Sequence, residues 1–388
     1  MSNVPRWRAL TAGLAVLAAT ACGSGGTPAA APAPTAGAGP LAGVCPNPVV
    51  VQTDWFPEAE YGAYFQMLGD NPAFDTDTKK VTAPLVDDGT PTGVELEIRY
   101  GGPAIGFQQV SAQLYADKAI TLGLVSTDEA IQNSRDLPTV AVAAPLETSP
   151  QMIMWDKAKH PDVRTIADLG RTDVPVLYYQ TDTYMQYLLA AGLLRSEQVD
   201  GSYDGSPSRW VTSGGDVAEA GFATSEPYIY KNELGEGRSY DVDLQLIADT
   251  GYPMYGQALS VRAADRDALA PCLAKLVPIV QRAQVAYMAD PVRTNGVIVS
   301  AVQADAGSVW TYSPGLADFA VDAMRQRKIV GNGPDATLGN FETARINRMI
   351  EILGPVFASQ NKPIKDGLTP EQLVTNEFVD PSIGLPVS

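Results

Sequence analysis

The stretch Val49-Val50-Val51-Gln52-Thr53-Asp54-Trp55-Phe56-Pro57-Glu58-Ala59-Glu60-Tyr61-Gly62-Ala63-Tyr64-Phe65 decides how this chain is read. It begins with a short β-branched run, the pattern of a buried strand. A loop with an aspartate, two adjacent aromatics and a proline follows, and then a helical segment. In open α/β sheets, ligands collect outside the carboxyl ends of strands. Trp55 at such an end offers a flat apolar platform with one N–H donor. The plainer reading of the same tryptophan is a lid over the core.

Working outward, strand and helix signals alternate, which predicts parallel sheets with crossover helices. Strands are expected over 94–100, 119–125 and 139–144, with a helix over 105–116. Ser126 and Glu129 are spaced as a capping box at the start of another helix. A second block starts near Gln151, with strands over 152–155, 174–179, 209–212, 220–223 and 244–247. Within it, 165–170 reads as a short helix stopped by glycine, and 184–194 as an apolar helix. The segment 255–261 returns the chain to the first block, and the remainder is mostly helical, beginning with 266–287.

Residues 1–22 read as an export signal. Arg6 and Arg8 precede the apolar run Ala9 to Ala19, which is too short to span a bilayer. It closes on Ala19-Thr20-Ala21-Cys22-Gly23, which resembles a lipoprotein lipobox with Cys22 as the acylated residue, although Ala19 stands where leucine is preferred. Residues 23–44 carry no charge and are rich in Gly, Ala, Pro and Thr, a composition that does not bury enough apolar surface to order itself. We expect a tether over 23–47, with a reach of about 25 Å. No later stretch is long and apolar enough to span a bilayer, so the remaining body is expected to be soluble. Its length suggests two domains. The net charge is −17, from 27 basic and 44 acidic residues, which argues against a nucleic-acid binder and against adhesion to anionic lipid. With Cys22 lipidated, Cys45 and Cys272 remain as a candidate disulfide in an oxidising compartment, the alternative being two unrelated buried thiols.

Several motifs occur in an order similar to that of the NMT1/THI5-like solute-binding proteins and the related sulfonate-, nitrate- and taurine-binding proteins. Trp55, Pro57 and Gly62 match a strand running into W-x-P-x-x-x-x-x-G. Gly101-Gly102-Pro103 stands at their small-residue turn, and Leu122 to Asp128 resembles their strand closing in a polar turn. Ser149 to Met154 resembles their crossing into a second lobe. Thr165 to Gly170 resembles a D-L-x-G segment, with Arg171 where Lys-Gly often continues. Thr224-Ser225-Glu226-Pro227 resembles an x-x-E-P turn, and Asp249 to Leu259 the return strand.

The resemblance implies an α/β, type II periplasmic-binding-protein-like fold: two α/β lobes, a ligand cleft and a two-strand hinge. Lobe 1 would comprise 48–148 and 258–388, and lobe 2 residues 149–257. It further implies a monomeric, lipid-anchored, extracytoplasmic solute-binding component of an ABC importer. That protein would meet a small ligand and a membrane permease, and would need no cofactor or metal.

The candidate ligand residues are Trp55, Tyr61, Tyr64, Gly101, Gly102, Ser126, Thr127, Asp128, Gln180, Thr181, Tyr184, Glu226 and Tyr255. Backbone N–H groups at Gly101, Gly102, Ser126 and Thr127 would suit polar or anionic ligand groups, if the helices start there. The competing readings are turn geometry for the glycines and plain capping for Ser126 and Thr127. Glu226 is read as an acceptor for ligand N–H, the alternative being a solvated turn residue. Asp54, Glu58, Glu60, Asp128, Asp182 and Glu226 cluster near strand ends with few basic partners. That pattern favours a neutral or weakly cationic heterocycle, and the resemblance implies a thiamine-precursor pyrimidine. Sulfonate, nitrate, taurine or a riboflavin-like flavin are the alternatives.

A rival of another class is a pyrimidine-synthesising enzyme of the same fold. The single histidine, His160, and three scattered cysteines argue against it. So does the lack of any nucleophile elbow or phosphate loop.

Overall fold

The computed structural model describes residues 38–305 and 310–386. The chain enters the first sheet at β1 (Val49–Gln52), whose four residues are all buried. Helix α1 (Gly62–Gln66), β2 (Ala73–Asp75), β3 (Lys80–Asp87) and β4 (Thr90–Arg99) follow. Then come α2 (Val110–Ala116), β5 (Leu122–Val125), α3 (Thr127–Gln132) and β6 (Thr139–Ala143). The second sheet is built between β7 (Gln151–Asp156) and β11 (Val242–Leu246). It includes α4 (Ile166–Leu169), β8 (Val176–Leu177), α5 (Tyr184–Ala190), β9 (Val199–Asp200), α6 (Ser208–Ser213), β10 (Ala218–Phe222) and α7 (Glu226–Asn232). The chain then returns through β12 (Ala258–Arg262) to α8 (Arg266–Ala289), α9 (Val292–Ala304), α10 (Pro314–Gln326) and α11 (Thr343–Ser359).

Strand order is β2-β3-β4-β1-β5-β12-β6 in the first sheet and β11-β7-β10-β8-β9 in the second. β1 pairs parallel with β4 and β5. Covered on both faces, it needs no polar alternation, and Val49-Val50-Val51 fits that demand. The sheets are mixed, not purely parallel as the alternation of signals suggests. β3 and β4 form a hairpin closed by Asp88-Gly89, both at positive φ, the chemistry of a tight primed turn. β12 runs antiparallel to β5 and β6 because it enters from the other sheet.

Two crossings, residues 144–150 and 247–257, join the sheets. Arg345 on α11 ties them together. Its guanidinium donates to the Glu147 carboxylate at 2.6 Å and to the Glu147 carbonyl at 3.0 Å on the first crossing. On the second it donates to the Pro253 carbonyl at 3.3 Å and lies 3.7 Å from the centre of the Tyr255 ring. α11 itself packs against α3 and α5, helices attached to different sheets.

Three local expectations are corrected. The segment 209–212 is helix α6, not a strand: Trp210 is fully buried and Gly214 ends the turn in the left-handed region. Burial of one large ring outweighs the weak β preference of Val211 and Thr212. The Ser126–Glu129 capping box does not form, because the Glu129 carboxylate accepts from the Ser111 N–H at 2.8 Å instead. Residues 38–47, placed in the tether, are anchored to the body at two points: Leu41 is fully buried with its N–H donating to the Thr92 carbonyl at 3.0 Å, and Cys45 is buried. The signal segment, Cys22 and the tether up to residue 37 lie outside the described residues. Among the described residues, no helix is long and apolar enough to cross a membrane. Cys45 and Cys272 form a disulfide with a Cα–Cα distance of 4.8 Å.

Candidate functional site

A cavity of about 150 Å³ opens where strand ends of the two sheets face each other. The first sheet contributes Asp54, Trp55 and Glu58 after β1, Gly102 and Phe107 after β4, and Ser126, Asp128 and Glu129 after β5. The second contributes Tyr179, Asp182 and Tyr184 around β8, and Phe222, Ser225 and Glu226 after β10. Trp310, from the segment before α10, completes the wall.

The aromatic wall is centred on Trp55. Its ring lies 5.2 Å from Tyr179, 5.9 Å from Phe107 and 6.1 Å from Trp310, centroid to centroid. Trp310 in turn stacks on Phe56 at 5.8 Å with nearly parallel planes. Trp55 thus spans the cavity from the first sheet to Tyr179 of the second. Two glycines make this possible. A Cβ on Gly102, whose φ is +56°, would stand 2.7 Å from the Trp55 ring, and one on Gly101 would stand 2.3 Å from the Asp54 backbone. Their N–H groups donate to the Trp55 and Asp54 carbonyls at 2.9 and 2.8 Å. They therefore build the loop and are not free to meet a ligand anion. The Thr127 N–H is likewise committed, to the Tyr255 carbonyl at 3.0 Å.

Among the described residues, six carboxylates line the cavity, and no Lys, Arg or His does. Burial pushes the Asp54 carboxyl up to about 6, opposed by hydrogen bonds from Tyr61 and Gln257. Burial also lifts Asp128 to about 6, and Glu129, Asp182 and Glu226 to about 7. Glu58 is raised well above the ordinary carboxyl range by burial and then by the charges of Glu60, Asp54 and Glu226. Glu60, immediately behind the lining, is lifted by burial to about 7 and accepts a hydrogen bond from Thr224 of the second sheet's layer. Most of these groups have internal donors. Tyr61 donates to Asp54 at 2.7 Å, Tyr184 to Asp182 at 2.7 Å, Tyr252 to Asp128 at 3.0 Å, and the Phe222 N–H to Glu226 at 2.7 Å. Three polar atoms in the lining do not: Oε1 of Glu58, Oε1 of Gln151 and Oγ of Ser225 are buried without a hydrogen-bond partner among the described residues.

Of the sequence candidates, the cavity brings together Trp55, Gly102, Ser126, Asp128, Thr181, Tyr184 and Glu226. Tyr61 stands behind it as the donor to Asp54, and Tyr64 is buried in the core. Gly101 and Thr127 act through their neighbours, and Gln180 is not in the lining. Tyr255 is a correction: its ring lies under Arg345 and its hydroxyl accepts from the Glu342 N–H at 2.9 Å, so it belongs to the crossing. His160 is also outside the lining, in a turn after β7 where its N–H bonds the Asp156 carbonyl at 2.9 Å. Phe107, Tyr179 and Trp310 are not among the sequence candidates. Tyr179 sits at a strand end and was open to the rule that singled out Trp55, whereas Trp310 carries no local signal.

No family model matches the chain, and no curated protein matches it. Solved structures do. The periplasmic aliphatic sulphonate-binding protein SsuA from Escherichia coli superposes with a TM-score of 0.54 and 12% identity, over 89% of this chain and 95% of that one. A protein from Bordetella bronchiseptica RB50 gives a TM-score of 0.51 and 15% identity, over 86% and 96%. The fold is that of a periplasmic binding protein. At such identities the likeness extends to the fold and not to the ligand. The lining of the cleft is what bears on the ligand. Among the described residues, no three His, Cys, Asp or Glu are grouped to hold a metal ion.

Proposed function

We propose that this chain is the extracytoplasmic solute-binding component of an ABC importer, with the cavity between its two sheets as the ligand site. The observation that carries the reading is a cavity lined from both sheets in which Glu58 and Ser225, one from each side, hold buried polar atoms without partners. Leaving such atoms unmade costs about 1–3 kcal/mol each, a cost that a ligand donor would remove. The layers around the two sheets act as lobes, joined at 144–150 and 247–257. Ligand contacts made by both sides favour the closed arrangement. Acylation at Cys22 would hold the protein at the membrane face, where a permease receives the ligand.

The ligand is a small nitrogen compound that presents N–H donors and a flat or apolar body. A thiamine-precursor aminopyrimidine is one such compound. Sulfonate, nitrate and taurine fit less well, since among the described residues the cavity offers six carboxylates and no basic side chain, and the N–H groups of Gly101, Gly102 and Thr127 are already bonded internally. Calorimetry with a hydroxymethyl aminopyrimidine and with taurine tests the reading. It predicts one site for the nitrogen compound, recovered intact after prolonged incubation. Tight taurine binding refutes the ligand class, and recovery of altered ligand moves the protein to the enzymes.

A further inference from the structure

We infer that Phe107 is a specificity-determining residue of the cleft, held at its solvent-facing edge so that its ring meets a flat, apolar part of the ligand beside Trp55. This rests on the cleft being the ligand site, as proposed above, and adds a requirement for a ring or other flat apolar face to that for N–H donors.

The backbone gives the first observation. Gly106 and Phe107 are the central residues of a turn closed by the Gln108 N–H on the Ile105 carbonyl at 3.3 Å. Their φ angles are +63° and +57°. Two successive positive φ values are the pattern of a type I′ turn, whose central places favour Gly, Asn and Asp. Gly106 obeys that rule and Phe107 breaks it. The Cβ of a bulky residue crowds its own backbone in this region, at a cost to stability. Among the described residues, the other non-glycines at positive φ are Asn, Asp, Lys, Glu or Gln, so Phe107 is the one apolar side chain placed there. The turn is pinned on both sides. The Phe107 N–H donates to the Gly102 carbonyl at 2.9 Å. The Gln109 side chain donates to Gln132 and accepts from Asn133, each at 2.8 Å.

Exposure gives the second observation. Phe107 is 40% exposed, and of the large apolar side chains exposed among the described residues it alone lines the cavity. Core burial therefore does not offset the strain of the turn. Its ring lies 5.9 Å from that of Trp55 with the planes inclined at 46°, an open corner and not a closed stack. Strained residues persist where the surrounding structure fixes them, and they collect at ligand clamps. A flat apolar group lying in this corner would take Phe107 out of water and touch both rings, a gain that exists only in the complex. A compact ion such as nitrate offers no such face.

The test compares the purified protein with Phe107→Asn, Phe107→Leu and Phe107→Tyr, each melted free of ligand and titrated by calorimetry with a hydroxymethyl aminopyrimidine. Asparagine tolerates positive φ, so Phe107→Asn should raise the midpoint by about 1–3 °C. The same variant should bind about 3- to 10-fold more weakly, the yield of one aromatic contact. Phe107→Leu should share the loss of affinity without the rise in midpoint, and Phe107→Tyr should keep both values near the original. Unchanged affinity in Phe107→Asn and Phe107→Leu overturns the inference and leaves the solute-binding reading standing. A lower midpoint in Phe107→Asn also overturns it, since Phe107 would then be a packing residue. If the protein does not bind the aminopyrimidine, the molecule released on denaturation, identified by mass spectrometry, replaces it as the probe. A released molecule without a flat apolar face overturns the inference alone. If the protein neither binds the aminopyrimidine nor releases a small molecule, both readings fall.

Discussion

Trp55 and Glu226 face one cavity from opposite sheets, and their surroundings set different expectations for their variants. Trp55 is half-buried and packs on Tyr179, Phe107 and Trp310, so its ring is part of the wall that a bound ligand would meet. Trp55→Ala should weaken binding by roughly 1–3 kcal/mol, by analogy with aromatic stacking on bases. That is about 5- to 150-fold in dissociation constant. The thermal midpoint should fall only modestly. A large fall with unchanged affinity would make Trp55 a core lid. Glu226→Gln keeps shape and removes a charge from a crowded acidic cavity. It should weaken a ligand that donates N–H while holding or raising the midpoint. Parallel calorimetry and thermal melts of both variants distinguish these outcomes. The residue scale is also where sequence reading reached least far. Gly101 and Gly102 stand out in the sequence, but the partners of their N–H groups are tertiary facts. Glu58 is an ordinary loop acid until the fold buries it, and Trp310 reaches the cavity by packing on Phe56 and Trp55, residues distant in sequence.

At the level of elements, two ties deserve variants. The Cys45–Cys272 disulfide joins the segment before β1 to α8 across 227 residues. Chain-entropy reasoning gives roughly 5 kcal/mol as an upper figure for so long a loop. Replacing both cysteines by serine should lower the midpoint under oxidising conditions and abolish the effect of added reductant. Unchanged melting would contradict that. Arg345 ties both crossings, and Arg345→Ala leaves Glu147 without its buried partner, a loss of about 2–3 kcal/mol. Arg345→Lys should rescue little, since a point charge does not reach both crossings or stack on Tyr255. A midpoint in the lysine variant equal to that of the original would refute the tie. Elements were legible where one physical cue dominated. β1 is a β-branched run, β6 and β7 are apolar runs bounded by turns, and α8 keeps its helical spacing over 24 residues. They were lost where cues were weak or competed: β2 and β3 carry little continuous apolar sequence, and α6 reads as a strand until Trp210 is seen in the core.

For the whole molecule, the acidic cleft makes stability and binding depend on pH in opposite directions. Asp54, Asp128, Glu129, Asp182, Glu226 and Glu60 titrate near 6 to 7 in the folded chain. Glu58 titrates higher than an ordinary carboxyl, and in the unfolded chain such groups titrate near about 4. The hydroxyls of Tyr61, Tyr184 and Tyr252 face them, and among the described residues no cationic side chain lines the cavity. Since the folded state holds more protons between these limits, their contribution is complete below about pH 4 and lost as pH rises through 6 to 7. The midpoint of ligand-free protein should therefore fall from pH 5 to pH 8, and a flat profile would contradict the burial described. A cationic ligand reverses the trend: its affinity should rise with pH, with protons released on binding. The central claim is that this periplasmic-binding-protein fold holds a small, N–H-donating nitrogen compound in its cleft. Its most direct test is to denature the purified protein and identify the released molecule by mass spectrometry. An intact amine in near-equimolar amount is expected, and an anionic sulfonate in that amount would contradict the claim.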